Sequence, residues 1–341
     1  MFVEKERSYI FKLQDIVWLT RIFPGYYSKD VKIDIIEDYY INKNLRLRKK
    51  NDKLTMEHKS DGKKEEGRIE ESQDITENWF NLLKEKASLK VIKKRQILHT
   101  EPDDYVITLD IVSEPMRILI LEIESLNGGD PPRINNFIAP YSSKGFVYCP
   151  LSAWDYFKRK IAICGAPSSG KTSTAQWITN KINTEFGGRA FCPIEYATSY
   201  IQKYDKYPNI HDQYMIWESQ SSREQDALNK SDIVISDSPT FLSYIYGLLT
   251  SKNIDINDKN ILLSKLYKRS LEGLCEYEQI LFLNLLEYKE NGVRYNTKAE
   301  AVEINNIISN FLKQHGVWRN THYTYENKEE ILSSILYLNE I

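Results

Sequence analysis

The run "RKIAICGAPSSGKTSTAQWITNKI", residues 159–182, restricts the fold more than any other stretch of the chain. An apolar strand pattern enters Gly165-x4-Gly170-Lys171-Thr172 and a helical pattern leaves it, which is the context a phosphate-binding loop needs. Glycine lets backbone N–H groups turn inward around phosphate oxygens. On this reading Gly165, Ala166, Pro167, Ser168, Ser169, Gly170, Lys171, Thr172 and Ser173 cradle a nucleotide. Lys171 neutralises the outer phosphates and the Thr172 hydroxyl holds Mg²⁺, so the expected ligands are ATP or GTP with Mg²⁺. Beyond the loop, short apolar strands alternate with longer helical patterns, the signature of an α/β domain with a parallel sheet.

Three further residues in this half bear on chemistry. "SDIVISDSP" reads as a strand delivering Asp237 to the edge where parallel sheets keep their ligands, as part of the Mg²⁺ shell or of the substrate site. The alternative role for Asp237 is capping the next helix. "RAFCPIEYATSYI" reads as a strand ending near Glu195, either a proton acceptor for a hydroxyl or a solvated first-turn carboxylate. Arg294, in "NGVR" before a helical run, is either a lid arginine that stabilises charge on a transferring phosphoryl group or a surface arginine.

The chain's 341 residues are 41% hydrophobic and 28% charged, enough for two domains with separate cores. A compositional break, "NGGDPPRINNFIAPYSSKG", follows the strand pattern "MRILILEIE". It divides the chain into residues 1–126, a linker at 127–158 and a second domain at 159–341. A net charge of -2 offers no global field for nucleic acid or membrane. Cys149, Cys164, Cys192 and Cys275 lie in no metal-ligand spacing, and the histidines form no HExxH pattern, so neither a disulfide partner nor a zinc site is expected. No apolar run is long enough to span a membrane. The expected location is cytoplasmic.

The first half shows charged pairs at strand spacing. Glu4 and Glu6 alternate in "VEKER", Arg46 and Arg48 in "NLRLR", Arg68 and Glu70 in "GRIEE", Lys93 and Arg95 in "IKKR", and Glu122 and Glu124 in "LEIES". Lys59 closes "LTMEHK" and Asp110 ends "YVITLD". Residues two apart share one face of a strand. Singly, each pair reads as a solvated face; together, about eight antiparallel strands would close into a small barrel with a polar interior. Carboxylates at one end would share Mg²⁺ or Mn²⁺, and the arginines and lysines would fork onto phosphate oxygens. The expected guest is a triphosphate with its metal.

Residues from about 159 onward resemble the kinase domain of the bacterial ribosylnicotinamide kinase family and its AAA_28-type relatives, through "GAPSSGKT", "EYATSYI", "YMIWESQ" with Gln220, "VISDSP" and "NGVR". The resemblance implies Mg²⁺-dependent transfer of a γ-phosphoryl group to a riboside or other nucleoside-like hydroxyl. Thr198 stands where that family has arginine, and the His-x-Gly-His nucleotidyltransferase motif often fused to such kinases is absent. Residues 1–126 resemble the CYTH domain of the triphosphate tunnel metalloenzymes. That resemblance implies that Glu4, Glu6, Glu70, Asp110, Glu122 and Glu124 hold metal, that Arg46, Arg48, Lys59, Arg68, Lys93 and Arg95 hold phosphates, and that metal-activated water attacks the terminal phosphorus. Ser8 stands where the CYTH signature has lysine.

Three readings follow. The chain is a bifunctional kinase and triphosphatase acting on a small-molecule acceptor; or a regulatory protein binding a nucleotide and an inositol phosphate or phosphoinositide; or an RNA 5′-end processing enzyme. A fusion of the same two domains in reverse order, known in animals and associated with GTP and phosphoinositide binding, gives the second reading weight.

Overall fold

The computed structural model describes residues 3–22, 32–59, 68–100, 105–126, 129–134, 146–251, 255–285, 297–317 and 322–339. The chain forms two compact units: Met1–Lys158 with Thr184–Arg189 and Ser333–Ile341, and Arg159–Asn183 with Ala190–Leu332.

The first unit is built on eight antiparallel strands: β1 (Val3–Lys12), β2 (Ile33–Tyr40), β3 (Leu45–Lys50), β4 (Lys53–Lys59), β5 (Arg68–Asp74), β6 (Leu89–Thr100), β7 (Tyr105–Glu114) and β8 (Ile118–Ser125). They close into a barrel in the order β1-β5-β4-β3-β2-β6-β7-β8. The β3–β4 hairpin is the one expected from "NLRLRKKNDKLTMEHKS". The helix expected in "ITENWFNLLKEKASL" spans Glu77–Lys84, capped by the Thr76 hydroxyl. The loop "KSDGKKEEGR" lies largely outside the described residues.

Strand alternation sorts the side chains by chemistry. On β1, Tyr9 and Phe11 join Leu19, Ile107, Leu109, Leu119, Leu121 and Ile123 in an apolar core behind the barrel wall. The intervening residues, Glu6, Ser8 and Ile10, line the interior. Their partners on β8 are Glu124, Glu122 and Ile120, so three successive rungs run from acidic to apolar. The other side of β1 is also engaged. The Cys149 N–H donates to Ser8 O at 2.6 Å, and the Asn339 N–H donates to Ile10 O at 2.9 Å. The Asn339 side chain donates to the carbonyls of Ile10 and Val147 and accepts from the Val147 N–H.

The second unit contains a parallel sheet of β9 (Arg159–Gly165), β10 (Ala190–Phe191), β11 (Ile233–Ser236), β12 (Gln279–Leu283) and β13 (His322–Tyr323), ordered β10-β11-β9-β12-β13. β9 is buried at all seven positions, as the near-continuous apolar run of a central parallel strand requires. Helices of this unit pack Phe241, Ile245, Leu274, Ile304 and Ile308 against Ala162, Cys164 and Phe282 of the sheet. β10 stops at Phe191, short of the Glu195 end expected from the sequence. Pro193 follows two residues later and has no N–H to continue a ladder.

Among the described residues no helix is long and apolar enough to cross a membrane. All four cysteines are free.

Candidate functional site

In the second unit, β9 runs into the phosphate-binding loop and the helix Lys171–Glu185 starts immediately after Gly170. The loop turns on backbone conformations open mainly to glycine: Gly165 has φ +153°, Gly170 has φ +85°, and Ser168 adopts φ +75°. A Cβ at Gly165 would lie 2.5 Å from Leu283 O and 2.7 Å from Ser169 Oγ. Ala166 and Ser169 are buried in the base of the turn. Pro167, Ser168, Gly170, Lys171, Thr172 and Ser173 face a cavity of about 830 Å³. Lys171 Nζ donates to Ala166 O at 2.8 Å, and Ser173 Oγ donates to Gly170 O at 2.9 Å.

β11 pairs with β9 so that Ser236 is opposite Ala162, which brings the residue after Ser236 beside the loop. That residue is Asp237, whose Oδ2 accepts from Thr172 Oγ1 at 2.5 Å. Its other oxygen, Oδ1, is buried without a hydrogen-bond partner. Asp237 is not the cap of the following helix, Leu242–Thr250, whose N-cap is Phe241. Burial pushes the Asp237 pKa up; the Thr172 hydrogen bond opposes this and the nearby Glu195 charge adds to it.

Glu195 is the N-cap residue of the helix Tyr196–Tyr204, but its carboxylate does not cap. Its Oε2 accepts from Thr198 Oγ1 at 2.7 Å, and it lines the same cavity as Lys171, Thr172 and Asp237. Thr198, which stands where the ribosylnicotinamide kinase pattern has arginine, is thus a hydrogen-bond partner of Glu195. Gln220 also faces the cavity and accepts from the Tyr196 N–H at 2.9 Å. Away from the loop the cavity is lined by Gln202, Tyr207, Gln213 and Tyr246. Arg294 lies outside the described residues.

The barrel interior holds a second cavity, of about 250 Å³. Two ion-pair clusters line it. In one, Arg48 forks onto both oxygens of Asp38 at 2.7 and 2.9 Å, and Arg46 donates to Glu57 at 2.8 Å and to Glu70 at 3.1 Å. Lys59 pairs with Glu70 at 3.0 Å. In the other, Arg95 forks onto Asp110 at 2.7 and 2.6 Å and also donates to Glu122. Lys93 completes the cluster at 2.5 Å from Asp110. Burial opposes ionisation of Asp38 and Asp110, yet the guanidiniums beside them hold both carboxyls below the usual carboxylate range.

The sequence grouped six acidic residues as metal ligands; the structure divides them. Glu6, Glu70, Glu122 and Glu124 all line the cavity, with Glu6 directly opposite Glu124 and Glu122 also held by Arg95. Glu70 belongs to the Arg46 and Lys59 cluster, and Asp110 is fully buried between Lys93 and Arg95. Among the described residues no three His, Cys, Asp or Glu side chains converge as a metal site. The side chains of Glu4 and Arg68 lie outside the described residues. Sequence reasoning missed Asp38 and Glu57, the partners of Arg48 and Arg46, and Lys43, which lines the same cavity. The signal for Asp38 was present in the alternating "DIIEDYY", where Asp34, Ile36, Asp38 and Tyr40 are all buried.

A family model described as AAA domain matches residues 160–321. No curated protein matches the chain. Among solved structures, NadR protein in complex with NR is 17% identical, with a TM-score of 0.42, covering 52% of this chain and 51% of that one. NadR in complex with NAD and AMP-PNP is 16% identical, with a TM-score of 0.42 and coverage of 54% and 51%. A protein from Pyrococcus horikoshii is 26% identical, with a TM-score of 0.29 and coverage of 37% and 80%. The chain spans about half the length of the two NadR structures.

Proposed function

We propose that the second unit is a Mg²⁺-nucleotide-dependent phosphotransferase acting on a nucleoside- or riboside-like hydroxyl. One observation carries this reading: Thr172, Asp237 and Glu195 line one cavity with the phosphate-binding loop. The hydroxyl beside a buried, half-satisfied carboxylate suits a hard divalent cation, so Thr172 and Asp237 would hold Mg²⁺. Bound there, the ion would neutralise phosphate charge. Lys171 would do the same for the transferring group. The acceptor hydroxyl gives its proton to Glu195 as its oxygen bonds to the γ-phosphorus. The bond from that phosphorus to the bridging oxygen breaks, and a nucleoside diphosphate leaves.

For the barrel we infer binding or hydrolysis of a triphosphate. Glu6 and Glu124 face each other as cross-strand partners, an arrangement of like charges that a divalent cation relieves. If Glu6 and Glu124 held a divalent metal, Arg95, Lys93, Arg46, Arg48 and Lys59 would have phosphate oxygens as alternative partners to their carboxylates.

A second reading, binding of a nucleotide and an inositol phosphate with little turnover, is favoured by one observation. The buried residue on the middle acidic rung is Ser8, opposite Glu122, and it brings no cation to a phosphate.

The deciding experiment supplies Mg²⁺ or Mn²⁺, ATP, GTP, inorganic triphosphate and a panel of ribosides. Lys171→Ala and the double variant Glu122→Ala/Glu124→Ala are run beside the wild type. The phosphotransferase reading expects a phosphorylated riboside that Lys171→Ala abolishes. Nucleotide binding lost in Lys171→Ala, with no product and no phosphate release from the wild type, would leave the binding reading standing. Phosphate release unchanged in the double variant would remove the barrel from the chemistry.

A further inference from the structure

Behind the nucleotide cavity sits a carboxylate that no part of the proposed transfer uses. Glu224, on the helix Ile210–Lys230, is 0% exposed. A buried carboxylate needs donors around it, and Glu224 has four. Its Oε1 accepts from Ser236 Oγ at 2.6 Å and from Gln220 Nε2 at 3.4 Å. Its Oε2 accepts from Tyr277 OH at 2.8 Å and lies 3.5 Å from Lys160 Nζ.

Three of these donors lead to the cavity. Ser236 is the residue immediately before Asp237. Tyr277 OH accepts from the Thr240 N–H at 2.9 Å, three residues beyond Asp237, so the segment bearing that aspartate is tethered on both sides. Gln220, held at its amide nitrogen by Glu224, uses its oxygen to accept from the Tyr196 N–H, the residue after Glu195. Each tether orients a hydroxyl or amide that would otherwise rotate freely, and a shared acceptor couples them.

The geometry points to Glu224 as a positioning residue that sets the Asp237 segment and the Glu195 helix start against each other through one buried carboxylate. This assignment rests on the phosphotransferase reading of the same cavity. It explains why a helix interior carries a buried glutamate where an apolar side chain would cost less.

The test uses the full chain and three variants: Glu224→Gln, Tyr277→Phe and Gln220→Ala. Glutamine keeps the size of Glu224 but turns one acceptor into a donor facing a donor. Hydrogen exchange at the Tyr196 and Thr240 amides reads the two tethers directly, and calorimetry with AMP-PNP, with and without Mg²⁺, reads their effect on the site. Expected in Glu224→Gln is about tenfold faster exchange at both amides, with β9 amides unchanged, as loss of a hydrogen bond to a buried charge implies. The gain in AMP-PNP affinity on adding Mg²⁺ should fall by about the same factor. Tyr277→Phe should loosen Thr240 alone and reduce the Mg²⁺ gain; Gln220→Ala should loosen Tyr196 alone.

Uniform acceleration of all amides, or protection of both amides as in the wild type, would overturn the assignment. If Glu224→Gln does not fold, the split between the other two variants decides, and its absence counts against the idea. Amide exchange needs no turnover. A wild type that transfers no phosphoryl group therefore defeats the phosphotransferase reading without touching the exchange result.

Discussion

Thr172 Oγ1 donates to Asp237 Oδ2 at 2.5 Å, while Asp237 Oδ1 is buried without a hydrogen-bond partner. The contact joins the start of one helix to the end of a neighbouring strand. It engages only one of the two carboxylate oxygens.

Asp237→Asn should therefore stabilise the protein without Mg²⁺ and abolish the Mg²⁺ response. Burial raises the Asp237 pKa above its unfolded value. A raised carboxyl contributes stability below the unfolded pKa and loses it as pH rises through the folded one, so the ionised group is a burden at neutral pH. The neutral amide carries no such cost and still accepts from Thr172. A rise in melting temperature of about 3 °C, the shift that roughly 1 kcal/mol produces, is expected in Mg²⁺-free buffer. Melting curves with AMP-PNP should show no further shift on adding Mg²⁺. A variant that melts lower than wild type contradicts this.

Gly165→Ala should disable the loop. Its Cβ would lie 2.5 Å from the Leu283 carbonyl at φ +153°, so the strand end must move. Strain of this kind costs about 1–3 kcal/mol. Gly316, at φ +68° with nothing within 4 Å, is the control, since alanine there meets only the conformational penalty. Urea midpoints should fall more for Gly165→Ala than for Gly316→Ala, and AMP-PNP affinity only for the former.

The barrel should be acid-labile in a defined window. Asp38 and Asp110 have pKa values held below those of the unfolded chain, Asp110 at about 2. Such groups contribute stability that is present above the unfolded pKa and lost as pH falls through the folded one. Loss of barrel structure is expected as pH drops from about 4 towards 2. Circular dichroism at fixed temperature, followed beside Asp110→Asn, would show it; a variant with an unchanged acid midpoint would speak against the ion pairs as its cause.

Ser8→Lys should strengthen triphosphate binding. The new ammonium would enter opposite Glu122, among the acidic rungs and beside Arg95. A charge-assisted contact to phosphate corresponds to about tenfold or more in affinity. Calorimetry with inorganic triphosphate and Mg²⁺ reads this, and phosphate release reads whether turnover is gained. Weaker binding would mean that the lysine is consumed by Glu122.

The phosphate-binding loop was legible because its glycines, lysine and threonine are consecutive and each has one physical task. Asp237 was legible because an apolar strand pattern ends one residue before it. The barrel's charged pairs announced themselves by alternation, yet alternation says nothing about partners. Arg46 and Arg48 find Asp38 and Glu57 because β3 pairs with both β2 and β4, and that register is a long-range property. The same reason hid Glu224, which looks like an ordinary helix glutamate until Ser236 and Tyr277 converge on it. Glu195 was placed at a strand end, but Pro193 stops the ladder and the residue falls at the N-cap position of the next helix without its side chain capping it.

Asn339 fills the edge of β1 through Ile10 and Val147. In order of synthesis, β1 precedes Asn339, its backbone partner at Ile10, by all of residues 159–332. That strand must therefore wait through the synthesis of the second unit with part of its hydrogen-bonding edge unmatched, and an unmatched strand edge is open to mispairing.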